Sequence, residues 1–83
     1  MKVEILYFAW LRERIGLPRE QVETSALTLR DLVEELGRRS DRHAAALSDL
    51  AAIRIAVDQT LSDLDAPLGD AREVALFPPM TGG

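Results

Sequence analysis

Val74-Ala75-Leu76-Phe77-Pro78-Pro79-Met80-Thr81-Gly82-Gly83 is the stretch whose reading decides the fold. Its apolar, β-forming first half reads as a buried strand. The two prolines end that strand, because each fixes φ and lacks an N–H to continue a ladder. No side chain after them carries a charge, and the stretch finishes in Gly-Gly. A glycine pair at a terminus is a weak signal alone, since loose ends are common. A merely solvated tail normally carries charge or Ser/Lys/Glu polarity, however, and this one carries none. Without a Cβ, Gly82 and Gly83 pass where other residues would not fit, and they let a partner's backbone come close. The chemical group on offer is the α-carboxylate of Gly83.

Working outward, Lys2 to Ala9 is rich in β-branched and aromatic residues and reads as a strand. Val3, Ile5 and Tyr7 share one face, Leu6 and Phe8 the other; apolar residues on both imply a central strand or a face that meets a partner. Trp10 to Ile15 reads as a short helix stopped by Gly16 and sealed by Pro18. Glu20 to Thr24 alternates weakly and predicts a polar edge strand. Leu29, Leu32, Val33 and Leu36 form an apolar stripe at i, i+3, i+4 and i+7, with Thr28 as N-cap and Gly37 as a left-handed stop. Glu34 and Glu35 fall on the solvent side; adjacent helical carboxylates diverge, so acid–base chemistry is not expected of them. Ser40 to Leu50 predicts a second short helix capped by Ser40. Ile53 to Leu61 reads as a hairpin turning at Asp58-Gln59. Glu73 to Phe77 is the last strand. Strands at both ends of the chain with a helix between them allow the first and last to pair, parallel, in the middle of a mixed sheet. The main helix then packs across one face. That is an α+β, β-grasp (ubiquitin-like) arrangement, with a domain over residues 1–77 and an extended, flexible tail over 78–83.

Composition removes several function classes. The 83 residues suffice for one domain with a limited core. The chain has no cysteine, which excludes disulfides, thiolate catalysis and Cys-ligated metal. No metal site is expected either: His43 lacks a second ligand at i+3 or i+4 and reads as a surface helix residue. A net charge of −4 without a basic, aromatic-interleaved stretch disfavours nucleic acid. No apolar run approaches the ~20 residues of a membrane span, and no signal pattern opens the chain, so a cytoplasmic location is expected. Lys2 is the one lysine among ten basic residues.

Three stretches resemble the small subunit of molybdopterin synthase (the MoaD family), a ubiquitin-like sulfur carrier. They are Tyr7 to Glu13, Ile55 to Leu61 with Asp65 to Leu68, and Glu73 to Gly83. The resemblance spans essentially the whole chain, and Phe-Pro-Pro-x-Thr-Gly-Gly is far narrower than Gly-Gly alone. Asp58 stands where Asn is usual in the family, and Met80 where Val or Ala is usual.

What the resemblance implies is a carrier that is not itself an enzyme and binds no cofactor. A ubiquitin-activating-type (MoeB-like) adenylyltransferase would use ATP to adenylate the Gly83 carboxylate. A sulfurtransferase or cysteine desulfurase system would convert it to a thiocarboxylate. The tail, Pro78, Pro79, Met80, Thr81 and Gly82, would then enter the active site of the large (MoaE-like) synthase subunit, within a heterotetramer. There sulfur would pass to cyclic pyranopterin monophosphate to build the dithiolene. Carried over by motif, Phe8, Leu61 and Phe77 match the family's exposed apolar patch, and Arg12 a position near the same interface. From the residue pattern alone, Leu61 reads as well as core as it does as interface, and Arg12 as a solvated helix residue. The alternatives are a carrier for thiazole synthesis, a protein-conjugating modifier, or a binding module with an inert tail.

Overall fold

The computed structural model describes residues 1–79. The chain runs β1 (Lys2–Tyr7), α1 (Ala9–Ile15), β2 (Arg19–Glu23), α2 (Leu29–Gly37), α3 (Asp41–Ala46), a 3-10 turn (Leu50–Ala52), β3 (Arg54–Val57), β4 (Thr60–Ser62) and β5 (Glu73–Phe77). The sheet order is β2-β1-β5-β3-β4. The first and last strands are neighbours in its interior and parallel, with Ile5 opposite Val74 and Tyr7 opposite Leu76. The other pairings are antiparallel. The expected mixed sheet is therefore present, although β1 stops at Tyr7 instead of reaching Ala9.

One face of this sheet makes the core. Val3, Ile5 and Tyr7 of β1, Val74 and Leu76 of β5 and Ile55 of β3 are buried with the α2 stripe Leu29, Leu32, Val33 and Leu36. Each such aliphatic side chain contributes about 1.5–3 kcal/mol by leaving water. Thr28 caps α2 as the sequence predicts, its Oγ1 accepting from Asp31 N at 3.1 Å.

Two helix ends differ in kind. Gly16 closes α1 at φ 91°, where glycine is needed, and its N–H donates to Arg12 O at 2.8 Å. Arg42 reaches across from α3, its Nε donating to Arg14 O at 2.9 Å and so placing a cation at the negative end of α1. Gly37, by contrast, is not the left-handed stop that the sequence suggests. It belongs to α2, and the cap is Arg38 in right-handed geometry (φ −90°, ψ −1°). Short i→i+3 bonds, Arg38 N to Glu35 O and Arg39 N to Leu36 O, satisfy the last carbonyls without a left-handed residue.

His43 requires a second correction: it is buried, not a surface residue. Its Nε2 lies 2.7 Å from Glu20 Oε2, and its Nδ1 2.7 Å from Ser40 Oγ. The Tyr7 hydroxyl donates to the same Glu20 oxygen at 2.7 Å, and Arg39 Nε sits 3.2 Å from Oε1. Glu20 thus points to the core side of the edge strand β2, where donors from β1, α3 and the α2–α3 link converge on it. Glu35 is likewise only half-exposed, and it accepts a hydrogen bond from the buried Thr24 hydroxyl.

Burial opposes ionisation of Glu20, yet the hydrogen bonds from Tyr7 and His43 and the Arg39 charge outweigh it and hold the carboxyl below its ordinary range. Burial, then the bond to Glu20 and its negative charge, push the Tyr7 hydroxyl up. A carboxyl depressed by folding stabilises the fold above its unfolded pKa of about 4.3, and the contribution is lost as pH falls through the lower folded value. Glu20→Gln is expected to cost about 1.5–3 kcal/mol near neutral pH, because three donors then face an amide. It should also flatten the acid limb of stability, read from urea midpoints between pH 7 and pH 3.

Candidate functional site

The face of the sheet opposite the core carries Phe8, Leu61 and Phe77, the residues expected at a partner interface. Strand registers place Leu6, Ala75, Ala56 and Leu61 in one row across β1, β5, β3 and β4. The next row holds Phe77 opposite Arg54. Phe8 follows β1 on the same side, and its N–H donates to Leu76 O at 3.1 Å. Leu61 is 68% exposed and Phe8 45%, while Phe77 is half-buried. Leu61 is thereby excluded from the core, a point the residue pattern left open. An apolar row that no helix covers stands out against an otherwise charged surface.

Phe8, Ala9, Ala75, Phe77, Pro78 and Pro79 line an open apolar cleft of about 420 Å³ at the end of this face. Because β5 is an interior strand, the chain leaves the sheet beside this cleft. Pro78 and Pro79 are half-buried against it. Met80, Thr81, Gly82 and Gly83, the residues singled out for chemistry, lie outside the described residues. Arg12 is exposed on α1, and its backbone N–H reaches Phe8 O at 3.4 Å, which ties its helix to the cleft's rim.

At the other end of the face the charge is acidic, with Glu4 opposite Glu73 and Arg19 3.8 Å from Glu4. Asp58 and Gln59 make the β3–β4 turn with φ of 48° and 72°. Asp58 Oδ1 also accepts from Arg72 N and Glu73 N, both at 3.0 Å, which fastens the turn to the start of β5. An amide oxygen accepts such bonds as a carboxylate does, so aspartate in place of asparagine preserves the tether. A second groove, of about 350 Å³, lies between β3 and the Asp63–Asp65 loop, with Arg30 paired to Asp65 at 2.9 Å. No nucleophile and base are brought together in it.

Among the described residues no group of three His, Cys, Asp or Glu is placed to hold a metal ion, and no helix is long and apolar enough to cross a membrane. The arrangement presents a surface and a strand end, and offers no acid–base constellation around them. Sequence reasoning missed the left-handed Ala9 in the cleft wall, because alanine carries no turn signal.

The comparisons agree with this geometry. The ThiS family pattern matches residues 5–83. The molybdopterin synthase sulfur carrier subunit of Escherichia coli (strain K12) is 42% identical over 81 residues, covering 98% of this chain and 99% of its own. The structure of SAMP1 from Haloferax volcanii superposes with a TM-score of 0.76 at 25% identity, over 100% of both chains. A chain from the protein–protein complex of subunits 1 and 2 of molybdopterin-converting factor from Helicobacter pylori 26695 gives 0.64 at 28% identity, again over 100% of both.

Leu61→Ser tests the exposed row without reference to any partner. Stability should change by less than about 0.5 kcal/mol, as for a surface site, where a buried leucine would cost several. Urea denaturation of the two proteins reads the difference.

Proposed function

The chain belongs to the ThiS family and, within it, to the molybdopterin synthase sulfur carrier subunits, and we propose that it carries sulfur on the α-carboxylate of Gly83. The observation that carries this reading is the 42% identity over essentially the full length of a sulfur carrier subunit, together with a family match that runs to residue 83.

In this reading the Gly83 carboxylate, a poor electrophile, attacks ATP in a ubiquitin-activating-type adenylyltransferase, and pyrophosphate leaves. Sulfide delivered by a sulfurtransferase or cysteine desulfurase system then forms a C–S bond as the C–O bond to AMP breaks, with release of a proton. The product is a C-terminal thiocarboxylate. The large synthase subunit docks on the apolar row and receives the tail, which donates sulfur to cyclic pyranopterin monophosphate. Two charged carriers supply one dithiolene, which accords with two small subunits on a large-subunit dimer. The complex of subunits 1 and 2 from Helicobacter pylori supports a two-subunit assembly.

Physical features support each part. Six extended residues from Pro78 span roughly 20 Å, enough to reach a buried site. The lack of charged side chains along them avoids the cost of drawing unpaired charge into it. Among the described residues the cleft is lined by apolar side chains, and in this reading the catalytic groups belong to the partners. The apolar row leads along the sheet to the cleft at the strand end from which the tail departs, so one docking event aligns surface and tail.

A second reading, a modifier joined to other proteins by an amide, is favoured by the likeness to SAMP1, a small archaeal modifier protein. Self-linked chains are then restricted to Lys2 or the N-terminal amine.

Mass spectrometry decides between them. The protein is incubated with ATP, its adenylating enzyme and a sulfur source, beside a variant lacking Gly83. We expect an alkylatable thiocarboxylate that fragmentation places on Gly83, and none in the truncated variant. Alkylation is needed because oxidation of Met1 or Met80 gives nearly the same mass change. An amide to another protein would move the chain to the modifier reading, and an unchanged C-terminus would overturn both.

A further inference from the structure

Three non-glycine residues among those described have left-handed backbones: Asp58, Gln59 and Ala9. The first two need no explanation, since a two-residue hairpin turn requires that conformation at both positions. Ala9 has no such reason. It lies in no hairpin, has φ 54°, and has no side-chain polar group with which to hydrogen-bond locally, as Asn or Asp would. Glycine would fit there without strain.

The strain arises because the chain passes from strand to helix with one residue between. Phe8 is still extended (φ −122°, ψ 155°), and its N–H donates to Leu76 O at 3.1 Å. Its carbonyl already serves α1, accepting from Leu11 N at 3.2 Å and Arg12 N at 3.4 Å. Leu11 and Ile15 anchor that helix in the core. With both sides clamped, the reversal falls on Ala9 alone. Strand alternation already turns Phe8 out onto the uncovered face; what the bend achieves is to start α1 directly after it, so that Phe8 and Ala9 line the cleft together with Phe77 and Pro78.

We infer that Ala9 is a positioning residue: its strained left-handed bend locks the strand-to-helix corner and so keeps Phe8, already facing outward, in the one place that docks the partner beside the departing tail. Backbone strain persists where the surroundings over-determine it, and it gathers at functional surfaces. A Cβ narrows the left-handed basin, so Phe8 is held in one direction before the partner arrives; glycine would accept the same bend and many others. The inference rests on the sulfur-carrier reading only for the identity of the partner.

Ala9→Gly is the test, with the full chain titrated against its large synthase subunit. The variant should melt within about 2 °C of the wild type or above it, since relief of strain offsets the looser unfolded chain. Its Kd should rise about fivefold through lost preorganisation, with KM for the carrier rising and kcat unchanged. Backbone 15N relaxation of residues 8–10 in the free chain should show added motion. An unchanged Kd, unchanged relaxation or a clearly lower melting temperature would each overturn the inference. If the wild-type chain does not bind the large subunit, the functional reading fails instead, and relaxation alone decides whether Ala9 fixes Phe8.

Discussion

The ladder between β1 and β5 joins the first strand of the chain to the last, and every other element depends on it. Parallel strands cannot be joined by a tight turn, so this pairing needs a long crossover, and nearly all of the remaining chain lies within it. The α2 stripe covers the face made by Ile5, Tyr7, Val74 and Leu76. The strands β2 and β3 then add to the outer edges of the pair. Because β1 and β5 are covered on one face only, the apolar residues of the other face remain available. Core and exposed apolar row are two sides of one pair of strands.

The polar cluster inside the domain ties elements of the fold together. Glu20 gathers Tyr7, His43 and Arg39, which arrive from three separate parts of the chain. An ionised carboxylate in that position is tolerable because each oxygen is met by a donor, and the arrangement specifies how α3 sits against β1 and β2. It lies on the core side of the sheet, away from the cleft. A cluster of Tyr, Glu and His invites a catalytic interpretation, but every member of it is engaged in joining elements of the fold.

Much of this was legible in the residues. Two-faced apolar strands, the i, i+3, i+4, i+7 stripe and the Asp58-Gln59 turn each follow from local periodicity, and Pro78-Pro79 marks the end of the sheet. Phe8 and Phe77 announced themselves because a central strand with apolar residues on both sides needs cover on both. What local pattern could not supply was partnership at a distance. His43 looked exposed because its acceptor is 23 residues away on a strand whose polar alternation concealed an inward carboxylate. Gly37 looked like a stop because a glycine after an apolar stripe usually is one, whereas i→i+3 bonding ended the helix one residue later. The terminal glycines lie outside the described residues; a reaction was assigned to them only through the family resemblance, since two glycines specify conformational freedom and not a reaction.

Parallel pairing at the centre also fixes how the domain bears force. A partner that grips the tail pulls on Pro79 and so along the axis of β5, which is hydrogen-bonded to β1 on one side and β3 on the other. Tension in that direction loads both ladders in shear, so their bonds share it instead of opening one after another as they would at a peeled edge strand. The domain can therefore bear a load applied at the end of its last strand with its sheet intact.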